Sequence, residues 1–517
     1  MLKKIDTQHS WKESLFALMQ KDVMYMLLLG FSAGLPLLLI FSSLSLWLVQ
    51  AGIEKSAVTY FSWAALGYSF KFVWAPLVDS LPIPFLTRFL GLRRSWLLVS
   101  QLSIVVAVSI MACTNPAVED QLVYMALGAV LLGFSSATQD ISIDAYRIES
   151  VTADMQAIVS SGYMAGYRLG MIVAGAGALY LASYFGTTKE DYVYESWRHT
   201  YQIMSLFMLV GICATFLISE PIKREKEFAY EPKAYLGLLL AFSIAVCAFI
   251  ACFVFTSDIS SSIKGHLSDL LSNKNLAGFL IELFRLALAT SVAVLIAKFL
   301  IQTRLVSSEL IENSYVSPIR QFFEDYGNST ALLLLALIGL YRISDIVLGV
   351  IANVFYQDMG FSLDEIAGAV KLFGLIMTLL GGFLGGILAM RYGVMRILFI
   401  GALLVVVTNL MFILLFYTDH NLPILYMVVS MDNLVAGISS AAFIAFLSSL
   451  VNVQFTAMQY AIFSSLMTLI PKALAGYSGS IVDSLGYVPF FIIASCIGLP
   501  ILILVYLANK RLKLRPL

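Results

Sequence analysis

The sequence has little charge: Lys, Arg, Asp and Glu make up only 12% of its 517 residues, whereas soluble proteins have roughly 25%. Hydrophobic residues account for 60% of the chain, and the mean hydropathy is +0.88. This composition excludes an ordinary soluble globular protein. Because 32 basic and 32 acidic residues balance to zero net charge, bulk charge indicates no nucleic-acid partner.

Cysteine and histidine are scarce, which excludes two kinds of site. The five cysteines are scattered through apolar stretches, so their spacing fits neither a disulfide framework nor a metal site. The four histidines lie in predicted loops or at helix edges, which leaves none to carry a proton in mid-membrane. We therefore expect no metal and no cofactor.

Apolar runs of about twenty or more residues recur along the chain, and each could cross roughly 30 Å of hydrocarbon. No predicted loop reaches the size of a soluble domain, so a membrane enzyme with a catalytic loop domain is disfavoured. We predict fourteen spans, at 23–50, 56–77, 95–113, 121–141, 157–185, 199–218, 234–256, 276–301, 329–356, 363–389, 396–417, 423–449, 456–483 and 488–508.

The distribution of Lys and Arg predicts the orientation. Of these 32 residues, twenty fall in loops and termini on one side, five on the other and seven within spans. Because positive residues concentrate in cytoplasmic loops, both termini are predicted to be cytoplasmic. An even number of spans agrees with this orientation. The chain is thus predicted to be an all-α, multi-pass membrane protein.

Two predicted cytoplasmic segments resemble each other: 75–94, which holds Asp79, and 385–396, with Met390 where the acid belongs. Both resemble the signature loop of the major facilitator superfamily, G-x-x-x-D-R-x-G-R-R. The arginines of such a loop can cap helix C-termini and pair with acids. Each segment joins the second and third helix of a six-helix set if spans seven and eight are an insertion. We therefore expect a major facilitator fold, with two six-helix bundles, two inserted helices and a cavity between the halves.

The predicted parts follow from this division. They are a cytoplasmic amphipathic segment at 1–22, an N-terminal bundle at 23–218, a linker with the two inserted helices at 219–328, a C-terminal bundle at 329–509 and a basic tail at 510–517.

The sharpest cluster of ionisable residues comes where the fourth span is predicted to end, near residue 141. Spacings of four and three place Asp140, Asp144 and Arg147 on one helix face. Two carboxylates one turn apart disfavour simultaneous ionisation, which suits proton coupling. The alternatives are a cytoplasmic gate, to which Asp79 would also contribute, or a solvated helix end.

The spans contain more cations than acids, which favours an anionic substrate. Asp345 and Asp432 are two of the few acids well inside spans. Arg342 can pair with Asp345 three residues later or line the cavity, and both readings stay open. The candidate substrate-binding residues are Lys71, Gln139, Tyr146, Arg168, Arg342, Asp345, Lys371, Asn433, Gln459 and Tyr460.

Several stretches resemble the AmpG family of muropeptide permeases, within the major facilitator superfamily. The run Ala137–Arg147, with its Ala-Thr-Gln-Asp and Asp-Ala-Tyr-Arg pieces, is the most specific match, and the resemblance covers nearly the whole chain apart from 302–328. The other matching stretches are Gly30–Leu39, Lys71–Asp79, Arg93–Trp96, Lys371–Gly374 and Ala457–Ala461.

This resemblance implies a secondary active transporter rather than an enzyme. Its substrate would be anhydro-muropeptide, GlcNAc joined to 1,6-anhydro-MurNAc with or without a peptide. A proton gradient would drive import across the inner (plasma) membrane of a bacterium, for peptidoglycan recycling and for β-lactamase induction in antibiotic resistance. The expected partners are this small molecule and the lipid bilayer, and the protein is expected to be a monomer. The alternative is an importer of another bulky organic anion such as acetyl-CoA.

Overall fold

A computed structural model describes most of the chain. The described stretches are residues 10–54, 66–188, 191–221, 230–256, 274–303, 307–475 and 478–513, with a few isolated positions between them. The chain forms two compact units, one made of Met1–Lys223 with Phe322–Leu517 and the other of Arg224–Gln321. Every described element of both units is a helix.

Thirteen helices in the described part of the chain are long and apolar enough to cross a membrane, which confirms the predicted all-α membrane fold. We number the helices after the fourteen predicted spans. They are α1 Lys21–Gln50, α2 in the short pieces Leu66–Phe70, Lys71–Val73 and Ala75–Ser80, α3 Leu92–Ala112, α4 Leu122–Ser150, α5 Gln156–Tyr184, α6 Tyr194–Leu217, α7 Pro232–Phe255, α8 Lys274–Gln302, α9 Asn328–Asp358, α10 Ala367–Tyr392, α11 Val394–Tyr417, α12 Leu422–Leu450, α13 Thr456–Ala475 and α14 Tyr487–Lys513. Short helices at Trp11–Ala17, Leu86–Leu90, Ser308–Ile311, Ser317–Tyr326 and Ser478–Leu485 lie between or before them.

Two predicted spans differ from the structure, and a third lies partly outside the residues that the structure describes. The predicted end of the fourth span at 141 is wrong, because α4 continues to Ser150. Other helices cover the polar end of α4, so the helix continues beyond the last residue of its apolar run. The span at 456–483 is two helices, α13 and Ser478–Leu485. Part of the span at 56–77 lies outside the described residues.

The larger unit contains the two halves, α1–α6 and α9–α14. In the first half, α1 packs closely on α5 because glycines face the partner backbone. A Cβ on Gly166 would lie 1.9 Å from the Leu27 carbonyl oxygen, and one on Gly34 would lie 2.0 Å from that of Tyr167. In the second half α10 packs on α12 in the same way, since a Cβ on Gly381 would lie 2.1 Å from the Leu434 carbonyl oxygen. Small residues at helix contacts allow this approach in a membrane.

The halves contact each other through α5 and α10. Ser161 of α5 donates a hydrogen bond of 2.7 Å to the Gly382 carbonyl of α10. One turn further along α10, a Cβ on Gly386 would lie 2.5 Å from the Ser161 hydroxyl oxygen. These contacts are near the start of α5 and the end of α10, which is the predicted cytoplasmic side.

The smaller unit is built on α7 and α8. Arg285 of α8 donates a hydrogen bond of 2.5 Å to the Phe253 carbonyl near the end of α7. Its guanidinium carbon also lies 4.1 Å from the centroid of the Phe253 ring. Arg285 therefore satisfies a carbonyl at a helix C-terminus and stacks on the same residue.

We predict that Gly166→Ala destabilises the protein by about 1–3 kcal/mol, the usual cost of overpacking, because its Cβ would overlap the α1 backbone. Gly349→Ala is the matched control, since a Cβ there meets no atom within 4 Å. Thermal unfolding in detergent should show a lower midpoint for Gly166→Ala alone. Equal midpoints for the two variants would contradict the close α1–α5 packing.

Candidate functional site

A polar cavity of about 210 Å³ lies between the halves. On the α5 side it is lined by Met164 and Arg168, and α9, α10, α12 and α13 supply the rest of its wall. Arg168 follows the start of α5 by twelve residues, or about 18 Å at 1.5 Å per residue, so the cavity is near mid-depth. Its polar lining includes Arg168, Arg342, Asp345, Thr378, Asp432 and Asn433.

Two polar pairs organise the second-half wall of the cavity. Arg342 and Asp345 form an ion pair with an Nη2–Oδ2 distance of 2.9 Å, and their side chains are 33% and 26% exposed. The sequence left pairing and cavity lining open as alternatives, and the structure shows both. Thr378 donates a hydrogen bond of 2.9 Å to the Asn433 side-chain oxygen, while the Asn433 amide donates to the Val429 carbonyl.

A second group of charges is buried around α4, below the cavity. Asp144 lies 3.4 Å from the Lys71 ammonium and 3.3 Å from the Arg147 guanidinium. The Asp144–Arg147 pair is the one that the spacing of three predicts. Lys71 pairs with Asp144 rather than with Asp79, because α2 runs beside α4. Lys71 is therefore placed in this ion-pair group rather than on the cavity wall.

Arg147 joins both halves although it is fully buried. Its Nη1 donates hydrogen bonds to Ser160 of α5 at 2.8 Å and to Ser448 of α12 at 2.9 Å. Its guanidinium carbon also lies 5.2 Å from the centroid of the Tyr460 ring on α13. Since Ser448 and Tyr460 belong to the second half, these contacts can exist only while the cytoplasmic ends of the halves are together.

Asp140 and Gln139 stand one turn above this ion-pair group. Asp140 is 8% exposed, and its Oδ1 accepts no hydrogen bond from the described residues. Lys71, Asp144 and Tyr163 are its polar neighbours. Gln139 donates weakly to the Ser32 hydroxyl, at 3.3 Å. Asp140 thus combines burial with an incompletely satisfied carboxylate.

Asp79 connects the first signature loop to the other half. One of its oxygens lies 2.6 Å from the Arg93 guanidinium. The same carboxylate accepts hydrogen bonds from the backbone N–H groups of Ala457, at 3.2 Å, and Met458, at 2.9 Å. These are the first N–H groups of α13, where an anion is favoured. Arg93 also binds Glu149 at 2.7 Å, so one fully buried cation serves two carboxylates.

Arg94 and Glu220 bind α3 and α6 together by mutual capping. Arg94 donates to the carbonyls of Thr215, at 3.0 Å, and Phe216, at 3.2 Å, at the end of α6. Glu220 in turn accepts from the backbone N–H groups of Arg93, at 2.8 Å, and Arg94, at 3.1 Å. Burial raises the pKa of Glu220 above its ordinary value, and the two backbone hydrogen bonds oppose that rise. In the first signature loop, Arg94 thus caps a helix C-terminus and Arg93 pairs with acids, the two roles predicted for the loop arginines.

The second signature loop has the same glycine turn, but not the buried acid–arginine pair that Asp79 and Arg93 form in the first loop. Gly91 and Gly393 precede α3 and α11 with φ of +85° and +89°, a conformation that glycine adopts without strain. Met390, which replaces the acid, packs in an apolar cluster with Ala17. Arg391 instead stacks on Trp11 of the N-terminal helix, at 4.8 Å from the ring centroid.

Three of the remaining predicted site residues are not on the cavity wall. Tyr146 is buried in an apolar cluster that holds residues of both halves, and Tyr460 lies beneath Arg147. Gln459 accepts a hydrogen bond of 2.7 Å from the Asn452 backbone, which anchors the turn before α13. The Lys371 side chain lies outside the described residues.

Sequence reasoning missed several cavity residues, among them Asp432 and Thr378, and several partners. Asp432 was recognised as an acid within a span but was not chosen for the site, and Thr378 carried no signal. Glu149, Ser160 and Ser448 were missed because their partners lie in other helices. Within the part of the chain that the structure describes, no group of three or more His, Cys, Asp or Glu residues is placed to hold a metal ion.

We predict that Asp79→Asn weakens closure of the cytoplasmic side, because it removes the charge that α13 and Arg93 bind. Hydrogen bonds to charged groups contribute about 1.5–3 kcal/mol. In a background without the five native cysteines, Ser161→Cys should therefore react faster with a thiol reagent added from the cytoplasmic side. Glu195→Gln, in an exposed ion pair with Arg198, is the control. Unchanged labelling in Asp79→Asn would contradict the closing role.

Comparison with known proteins identifies the family. The family model of the Major Facilitator Superfamily matches residues 23–341. A protein named "Putative transporter AmpG 4" from Rickettsia conorii is 30% identical, over 93% of this chain and 95% of that protein. The "Anhydromuropeptide permease" of Escherichia coli K12 is 28% identical, over 94% of this chain and 80% of the permease.

Solved structures agree on the fold. The proton:xylose symporter XylE bound to 6-bromo-6-deoxy-D-glucose covers 96% of both chains, with a TM-score of 0.56 and 12% identity. The fucose:proton symporter FucP of Escherichia coli has the same TM-score at 10% identity, over 94% of this chain and 97% of FucP. At these identities the likeness concerns the fold alone. The relatives in sequence are transporters and permeases, and the chain belongs to the AmpG family within the Major Facilitator Superfamily.

Proposed function

We propose that this multi-pass inner-membrane transporter imports anhydro-muropeptides by proton symport. The substrate is GlcNAc joined to 1,6-anhydro-MurNAc, with or without a peptide. Its import would serve peptidoglycan recycling and the induction signal for β-lactamase. The transporter is proposed to act as a monomer that needs no cofactor beyond the proton gradient. The name of the Escherichia coli relative, a permease for anhydromuropeptides, supports this choice of substrate.

The observation that carries the proposal is the cavity between the halves. Arginine presents two parallel donors to a carboxylate, and Arg168 and Arg342 both line the wall. Asn433 and Thr378 add amide and hydroxyl groups that can bind sugar hydroxyls. The acidic sugar or the peptide supplies carboxylates, and the disaccharide supplies hydroxyls, so cavity and substrate match in chemistry.

The dimensions of the cavity support alternating access. Its volume of about 210 Å³ is below the ~300–1,000 Å³ of typical ligand pockets. A disaccharide with a peptide therefore requires the halves to move apart. With the cytoplasmic ends of the halves held by Asp79 and Arg147, we propose that substrate enters from the opposite side. Release into the cytoplasm would then require those contacts to break.

For proton coupling we propose Asp140 with Asp144. An ionisable side chain buried among spanning helices commonly belongs to an ion or proton pathway. Asp144 is held by Lys71 and Arg147, whereas one oxygen of Asp140 has no hydrogen bond from the described residues. Asp140 is therefore the proposed proton carrier, and Asp144 links its charge to the Arg147 contacts between the halves.

Uptake into closed vesicles that contain the reconstituted protein tests the choice of substrate. Reconstituted protein should accumulate labelled GlcNAc–anhydro-MurNAc when a proton gradient is imposed, and a protonophore should abolish the accumulation. Vesicles without the protein are the control. No uptake of the disaccharide, with uptake of labelled acetyl-CoA, would favour the alternative organic-anion importer.

We predict that Asp140→Asn abolishes gradient-driven uptake but retains counterflow exchange, because exchange needs binding and conformational change without net proton transfer. Asp144→Asn should reduce both activities, since it also breaks the pairs with Lys71 and Arg147. Thermal unfolding verifies that each variant is folded, and Glu195→Gln is the control for loss of an acid. Wild-type accumulation in both variants would contradict the coupling role.

A further inference from the structure

Two of the four charged side chains on the cavity wall lack an ion-pair partner. Arg342 and Asp345 neutralise each other at 2.9 Å. Arg168 and Asp432 make no salt bridge with any described residue, although both line the same cavity. Isolated charges within a membrane are costly and usually mark a functional site.

The surroundings of Arg168 favour an anion. Arg342, the other cation on the cavity wall, repels its guanidinium, and the acid Asp345 attracts it. Among the described residues, its side-chain hydrogen bond is a weak one, from Nη1 to the Met171 sulfur at 3.9 Å. A carboxylate placed here would relieve the repulsion between the two arginines and would accept two hydrogen bonds from Arg168.

The surroundings of Asp432 favour a cation. Asp345, the other acid on the cavity wall, is a like charge, and the Thr408 hydroxyl is a hydrogen-bonding neighbour of Asp432. An ammonium group beside Asp432 would relieve the repulsion between the two carboxylates. A purely anionic ligand would add to that repulsion instead.

The four charged groups come from three helices. Arg168 lies on α5, Arg342 and Asp345 pair with each other on α9, and Asp432 lies on α12. Because the α9 pair is neutral, the two charges left in the cavity are one positive and one negative, on different helices. A ligand with opposite charges at its two ends complements this arrangement, whereas a neutral sugar does not use it.

We propose that the cavity binds a dipolar peptide group, with a carboxylate at Arg168 and an ammonium at Asp432. This inference rests on the proposed transport of muropeptides and specifies which part of the substrate these residues recognise. The peptide carried by the disaccharide, if it has both a free carboxylate and a free ammonium, is the matching ligand. The bare disaccharide has no ammonium group and so lacks the contact at Asp432.

Competition against uptake of the labelled bare disaccharide tests this assignment. The competitors are a disaccharide-peptide with both charges, the same compound with its ammonium acetylated, the same compound with its carboxylate amidated, and the free peptide without sugar. For the wild type we expect the doubly charged compound to compete about 10-fold better than either modified compound, as expected for one charge-assisted contact. If the free peptide competes as well as the disaccharide-peptide, the dipolar site is independent of the sugar; if it competes weakly, the sugar contributes to binding at the same site.

The variants separate the two contacts. Asp432→Asn should lose discrimination against the acetylated compound and keep discrimination against the amidated one. Arg168→Gln should show the reverse pattern. Discrimination is the ratio of the inhibition constants of the charged and the modified compound within one variant, so a general change in binding affinity cancels from the comparison. Glu195→Gln and Arg198→Gln, which neutralise an exposed ion pair, are the matched controls.

Three outcomes would overturn the proposal. Equal competition by the charged, acetylated and amidated compounds in the wild type would show that the cavity does not recognise the ammonium and carboxylate of the peptide. Loss of bare-disaccharide uptake in Asp432→Asn, with counterflow retained, would make Asp432 a proton carrier instead. Absence of wild-type disaccharide uptake would overturn the proposed function itself, which the competition result alone cannot do.

Discussion

The carboxylate of Asp79 is the contact on which the closed cytoplasmic side depends. It binds Arg93 within its own half and the first backbone N–H groups of α13 in the other half. An anion at a helix N-terminus satisfies donors that the helix itself cannot satisfy. Because Arg93 also neutralises Glu149, the loop, α3, α4 and α13 share one buried electrostatic network. The conformation of each member constrains the others.

Arg147 provides a parallel connection nearer the cavity. Its hydrogen bonds to Ser160 and Ser448 and its contact with Tyr460 span the two halves, and its pair with Asp144 leads to Lys71 and towards Asp140. A change of charge at Asp140 would therefore act on residues that also hold the halves together. This arrangement gives a physical route by which protonation and opening could be linked, since a buried ion pair weakens when one partner loses its compensating charge.

Much of the fold was predictable because membrane spans are encoded locally. Segment length and hydropathy predict the helices, and the positions of Lys and Arg predict which loops are cytoplasmic. Spacing within one helix predicts the pairs Asp144–Arg147 and Arg342–Asp345. The contacts of Lys71, Arg147 and Asp79 with other helices were not predictable, because no local pattern states which segments meet. The end of α4 was misjudged for the same reason: its polar last turns are buried by α5, α12 and α13, which hydropathy does not register.

In the proposed mechanism, the substrate binds at the mid-depth cavity rather than at the buried charges around α4. A structure with a bound disaccharide-peptide tests this most directly. It should show the ligand between α5 and α12, with a carboxylate within hydrogen-bond distance of Arg168 and the sugar near Asn433. A ligand bound instead against Lys71 and Asp140, with the cavity wall unoccupied, would contradict the account.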